Sequence, residues 1–209
     1  MSHSHGDVER FSRWAPKYER HYLQRFVFEP VQKAVLDLAA QEVAHPAAIL
    51  DVGCGTGRLL RTAADQFPGA RLEGIDAAEG MIEQAKVAAG PEARINFQLA
   101  TAERLPFPDR QFDLVFSTMT FHHWADQRRG VAEIARAMTP SGRWILADFI
   151  ATGWLRYVRR LLRLTRFLER EELDSMLASA GLRVRAERRV QSRISVLAIG
   201  PAAPTIATT

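Results

Sequence analysis

From residue 47 to residue 150 the sequence switches back and forth between two periodicities. Short apolar runs bounded by turn residues predict strands at 47–52, 71–76, 94–100, 112–118 and 142–149. Helical spacing predicts helices at 57–66, 78–88 and 126–138. Their stops are "FPG", Gly90-Pro91 and "TPSG", and the third and fourth strands are joined by a loop containing "LPFPD". Strands alternating with helices over this length demand a parallel sheet with helices on both faces and right-handed crossovers. The ends of the chain differ. Residues 8–41 read as helical, with Val27, Val31, Val35, Leu36 and Leu38 at helical spacing and Pro30 opening a second helix. A helical stretch at 154–180 precedes "LRVRAERRV" (182–190) and "RISVLAIG" (193–200). The gap between those two is too short for a crossover, so they are expected as an antiparallel hairpin. One domain over 1–200 follows, with 8–41 as an N-terminal helical lid, 47–150 as the ligand-binding core, 151–200 as helix plus hairpin, and 201–209 as a flexible tail.

A ligand in an open α/β sheet sits beyond the carboxyl ends of the strands, where the winding reverses. There the chain reads "ILDVGCGTGRLL" (49–60), with Gly53, Gly55 and Gly57 between the first strand and the first helix. Glycine permits positive φ and lets backbone approach a ligand closely. The spacing is G-x-G-x-G, and Arg58 stands where a dinucleotide fingerprint has its third glycine. That spacing argues against an NAD-dependent oxidoreductase. Asp51 precedes the turn and either bonds its amides or faces the ligand. Asp76 ends the second strand, where a carboxylate can accept from both ribose hydroxyls. The lone cysteine, Cys54, excludes an internal disulfide, points to a reducing compartment, and reads as packing rather than nucleophile. The histidines are scattered, so no metal site is expected.

These segments carry a resemblance. "LDVGCGTGRLL" with "GIDAAEGMIEQA" resembles the class I S-adenosylmethionine-dependent methyltransferases. "ATAERLPFPDRQFDLVFSTMTFHHW" and "EIARAMTPSGRWILADF" look like the subgroup that includes the ubiquinone/menaquinone-biosynthesis methyltransferases (methyltransferase type 11). It covers residues 47–150, and more loosely "FSRWAPKYERHY" near the N-terminus. It implies a Rossmann-like, doubly wound, seven-stranded sheet with its last strand antiparallel, and S-adenosyl-L-methionine as cofactor. It also implies that Asp51, Gly53 and Gly55 face the methionine part and Asp76 the ribose. Ala77, Met81, Thr101, Ala102 and Glu103 would border the adenine, and Ser117 the amino group. One departure is Thr101, where the family has aspartate. Its hydroxyl can still accept from the adenine amine, without the charge assistance.

Methyl transfer from a sulfonium is an in-line displacement, and a base helps only when the acceptor must lose a proton. "Phe121-His122-His123-Trp124" follows the fourth strand. His123 and then His122 are the candidate bases, Asp148 at the end of the fifth strand is a third catalytic candidate, and Phe121 and Trp124 are candidate walls for the acceptor. Tyr18, with Tyr22 one turn on, is a candidate cofactor contact from the lid. The expected activity is methyl transfer to a small-molecule or lipid-like acceptor. A protein or nucleic-acid acceptor, or a non-catalytic regulatory protein that binds the cofactor, stays open, although nucleic acid lacks interleaved aromatics in its favour.

Charge is uneven. Residues 151–209 hold 11 of the 28 basic side chains, all arginine, against 5 of the 24 acidic ones, so the net +4 comes from this quarter. In "WLRYVRRLLRLTRFLER" (154–170), Trp154, Leu155, Val158, Leu161, Leu162 and Leu168 share one helical face. Arg156, Arg159, Arg160, Arg163, Arg166 and Arg170 share the other, with Phe167 among them. Three uses compete: packing with solvated arginines, a cap that selects an acidic or phosphorylated acceptor, or rest on anionic lipid. No apolar run reaches the roughly 18 residues of a membrane span, and "MSHSHGDVER" has no apolar signal region. The expected location is cytoplasmic, with peripheral membrane contact through 154–170 open.

Overall fold

A computed structural model describes residues 28–90, 94–151, 168–190 and 194–202. Helix α1 (Glu29–Glu42) leads to β1 (Ala48–Val52), α2 (Arg58–Gln66), β2 (Arg71–Asp76), α3 (Glu79–Ala89), β3 (Ile95–Leu99) and β4 (Phe112–Thr118). A single 3-10 turn (Phe121–His123), α4 (Gln127–Ala137) and β5 (Met138–Asp148) follow. The short β6 (Ile150–Ala151) and β7 (Leu168–Glu169) pair with each other, and α5 (Arg170–Ser179), β8 (Leu182–Val190) and β9 (Ile194–Pro201) complete the chain.

Seven strands make one sheet in the order β3-β2-β1-β4-β5-β9-β8. The first five are parallel, and β9 runs antiparallel to both β5 and β8. The winding reverses between β1 and β4. All five residues of β1 are buried, as a strand covered on both faces must be. On one face Val31 and Val35 of α1, Leu59 and Leu60 of α2, and Ile82 of α3 pack against Ile49, Leu114 and Ile145. On the other, Val131 and Ile134 of α4 and Leu173 and Leu177 of α5 pack against Leu50, Val115 and Trp144.

Local chemistry sets the ends. Pro30 lies in the first turn of α1, where a missing N–H costs nothing. Asp126 caps α4 by accepting from Arg129 N–H at 3.0 Å, and Glu169 with Glu172 forms a capping box on α5. At the foot of the sheet, Asp113 Oδ2 accepts from Ala47 and Ala48 N–H at 2.9 and 3.3 Å. The helix-free connection from β3 to β4 is held by Arg136, which donates to Phe107 O and Asp109 Oδ1, each at 2.8 Å.

Three expectations are corrected. "TPSG" is not a loop outside the sheet. Met138 pairs with Phe112 and Arg143 with Leu114, so residues 139–142 bulge opposite Asp113, within the extended course of β5. A Cβ on Gly142 would lie 2.4 Å from Met138 Cγ, so glycine serves close approach here rather than chain reversal. The expected helix over 154–180 is interrupted: Leu168–Glu169 is extended, and a new helix starts at Arg170. Arg170 is therefore no member of an arginine face; it pairs with Asp174 and Glu187. Residues 154–167 lie outside the described residues. Pro201, expected in the tail, ends β9, and Ala202 N–H bonds Gly181 O at 2.8 Å. Among the described residues no helix is long and apolar enough to cross a membrane.

Candidate functional site

The glycine turn sits where β1 and β4 diverge. Gly53, Gly55 and Gly57 all have positive φ. At Gly53 a Cβ would lie 2.1 Å from Thr120 Oγ1, so any other residue would push away the segment after β4. At Gly55 none of the described residues lies within 4 Å of that position, so among them the backbone is left bare. The turn hangs on β2. Gly53 and Cys54 N–H both donate to Ile75 O, at 2.8 and 2.9 Å. Gly55 N–H donates to Asp76 Oδ2 at 2.9 Å, and Ala78 N–H to Asp76 Oδ1 at 2.9 Å. Asp76 thus shapes the turn, and its carboxylate keeps acceptor capacity beyond those amides. Burial raises its pKa against the opposing pull of the Ala78, Gly55 and Ala77 amides.

Asp51 behaves differently. It is 2% exposed, and its Oδ1 has no hydrogen-bond partner among the described residues. Burial, and then the charge of Asp76, push its pKa up to about 8. A buried acid left unsatisfied costs stability, so its persistence marks a place for a ligand donor. Beside it on β4, Ser117 is fully buried and its Oγ is likewise unpaired among the described residues. Cys54 is buried, and burial with both acids holds its thiol well above the ordinary range, as befits packing.

The ends of β2 and β3 form the next wall. Ala100 N–H bonds Asp76 O at 3.1 Å, which brings Thr101, Ala102 and Glu103 beside Asp76 and Ala77. Thr101 is exposed and Ala102 buried. Glu103 is partly occupied elsewhere: its Oε1 accepts from Ala125 and Asp126 N–H at 2.7 and 3.1 Å. Met81 is buried in the first turn of α3. Leu99, unnoticed in the sequence, pairs with Asp76 across the strands and is 56% exposed, an apolar surface at the crevice edge. Only its place at the C-terminal end of β3 could have flagged it.

The ends of β4 and β5 carry the histidines. Met119 has φ +57 and swings Thr120 over Gly53. His122 follows two residues later. Its Nδ1 lies 2.8 Å from Asp148 Oδ1, and its N–H donates to Asp148 Oδ2 at 3.3 Å. Phe149 N–H donates to Asp148 Oδ1 at 2.7 Å. Asp148 is 1% exposed, so it reaches an acceptor only through His122. His123, ranked first from the sequence, packs its ring 4.0 Å from that of His122, but the Asp148 contact belongs to His122. The aromatic wall is corrected at Phe121, while Trp124 is half-buried. Phe121 is fully buried and packs on Trp124 and Trp144, with centroids 4.7 and 5.9 Å away, and Trp124 stacks on Trp144. These aromatics anchor the turn in the core. Tyr18 lies outside the described residues. α1 nonetheless begins at the glycine turn, because Arg58 Nη2 pairs with Glu29 Oε1 at 2.5 Å. Among the described residues no cluster of three or more His, Cys, Asp or Glu is placed to hold a metal.

A doubly wound sheet opening on a glycine turn, with an acid ending β2 and a buried acid on β1 unpaired among the described residues, defines the class of Rossmann-like methyltransferase folds. The chain belongs to the class I S-adenosylmethionine-dependent methyltransferases, and S-adenosylmethionine is its cofactor. A family model described as a methyltransferase domain matches residues 50–146. The chain is 34% identical over 186 residues to malonyl-[acyl-carrier protein] O-methyltransferase of Geobacter sulfurreducens, covering 83% of this chain and 68% of that one. It is 35% identical to demethylmenaquinone methyltransferase of Deinococcus radiodurans, across 68% of this chain and 59% of the relative. Among solved structures, the YcgJ protein of Bacillus subtilis aligns with TM-score 0.65 at 29% identity, over 75% of this chain and 71% of that one. A methyltransferase of Aquifex aeolicus shares the fold, with TM-score 0.70 at 20% identity, over 90% and 97% of the two chains.

Proposed function

We propose that this protein methylates a small or lipid-like acceptor held over the ends of β4 and β5. Asp51 Oδ1, without a partner among the described residues, carries the reading, because it offers an acceptor for the cofactor's ammonium. The residues fit the group: Asp51 takes the ammonium with help from the Ser117 region, and Gly53 and Gly55 give the methionine tail bare backbone. Asp76 takes the ribose with its remaining acceptor capacity. Ala77, Met81, Leu99, Thr101, Ala102 and Glu103 flank the adenine. Bound there, the cofactor supplies a methyl group already activated by its sulfonium. The protein's own work is to align an acceptor in line with that methyl and keep water away. Two relatives' names support a small or carrier-borne acceptor: a malonyl carrier-protein O-methyltransferase and a demethylmenaquinone methyltransferase.

The test is to incubate the purified chain with methyl-tritiated S-adenosylmethionine and a cell extract, then separate the fractions. Label is expected in the small-molecule or lipid fraction. Label confined to nucleic acid, or to protein other than an acyl carrier, overturns the proposal.

A further inference from the structure

Transfer to an ionised carboxylate requires no proton to leave, whereas transfer to an O–H, N–H or activated C–H position does. Building on the cofactor placement above, we propose that His122 is the general base of the reaction and Asp148 its positioning residue. The acceptor is therefore one that bears a proton, not an already ionised carboxylate.

The argument is geometric. Asp148 is buried with three donors on its carboxylate: His122 Nδ1 at 2.8 Å, Phe149 N–H at 2.7 Å and His122 N–H at 3.3 Å. A carboxylate receiving so many donors acts as acceptor only, so Nδ1 carries a proton toward it, and in the neutral ring the lone pair then lies on Nε2. Base and orienting group are thus arranged as in other histidine-based sites. The ring is held further by His123, 4.0 Å away, and by the edge of Phe149 at 6.3 Å. His122 keeps 16% of its side chain exposed, while Asp148 keeps 2%. Thr120, two residues earlier, packs over Gly53 of the glycine turn, which sets the backbone that carries His122 at the carboxyl end of β4. Nor do the strands need a clasp there: β4 and β5 are already paired from Leu114 with Arg143 to Thr118 with Ala147.

In the step, the acceptor's proton passes to Nε2 as the acceptor atom bonds the methyl carbon. The carbon–sulfur bond breaks with its electron pair on sulfur. Asp148 balances the imidazolium, and His122 returns the proton to water. The products are methylated acceptor, S-adenosylhomocysteine and one proton.

Two measurements test this on the full chain. Nitrogen-15 NMR reads the His122 tautomer whether or not the acceptor is known. Nδ1–H with bare Nε2 is expected in the wild type, and loss of that preference in Asp148→Asn. In the extract assay, His122→Asn is expected to lower methyl incorporation about 100-fold or more, with affinity for S-adenosylhomocysteine unchanged. The product label should resist mild alkali. An Nε2–H tautomer, wild-type incorporation by His122→Asn, or label released by alkali as methanol from a methyl ester would overturn the proposal. Failure of the wild type to bind S-adenosylhomocysteine would instead defeat the cofactor placement.

Discussion

Asp51 and Asp148 are both buried acids at the carboxyl ends of the same sheet, 2% and 1% exposed, yet their surroundings are opposite. Asp148 is saturated with donors from its own chain. Asp51 has an oxygen with none among the described residues, and burial raises its pKa to about 8. The difference shows which half of the crevice is complete without a ligand. The β4–β5 half is preorganised to orient a histidine. In the β1–β2 half an acid oxygen has no partner among the described residues, and the proposed cofactor placement has the ammonium complete it.

Substitutions can break this contrast. The largest effect is expected from Asp76→Ala, which removes the anchor of the Gly55 and Ala78 amides and, with it, the proposed ribose contact. Two charge-assisted bonds of about 1.5–3 kcal/mol each imply a loss of S-adenosylhomocysteine affinity of about 100-fold or more by calorimetry. Asp51→Asn should weaken binding by about 10–100-fold, one such bond, while leaving the cofactor-free protein at least as stable at pH 8. A marked fall in melting temperature there would show that Asp51 is satisfied after all. Asp148→Asn should do the reverse, costing about 1.5–3 kcal/mol in denaturant unfolding and leaving S-adenosylhomocysteine affinity within about twofold. A pH slope follows from the same burial. The Asp51 carboxyl is raised from 3.8 to about 8 on folding, so the folded state holds the extra proton between those values. Stability of the cofactor-free protein should therefore fall as pH rises through that window, and less steeply in Asp51→Asn.

Much of this was legible in the chain. Turn glycines and alternating apolar runs mark the strand ends, and Asp76 sits where a ribose carboxylate belongs. What escaped depends on contacts between strands. Whether Asp51 or Asp76 holds the turn amide is decided by side-chain direction across β1 and β2, and it is Asp76. Met119 adopts a left-handed φ with no glycine to announce it. Phe121 beside two histidines reads as a pocket wall, yet the 3-10 turn drives it inward onto Trp144. Pro140 and Gly142 read as a loop, but pairing on either side keeps them in the extended course of β5. In 154–170 helical periodicity ran past Leu168–Glu169, which pair with Ile150–Ala151 instead.

The most direct test counts protons. Calorimetric titration with S-adenosylhomocysteine at pH 7, repeated in buffers of different ionisation enthalpy, reads the protons released on binding. A carboxyl with pKa about 8 is mostly protonated at that pH and must ionise to hold the ammonium. Release of close to one proton by the wild type, and almost none by Asp51→Asn, is the predicted result. Equal release by both proteins would contradict the account.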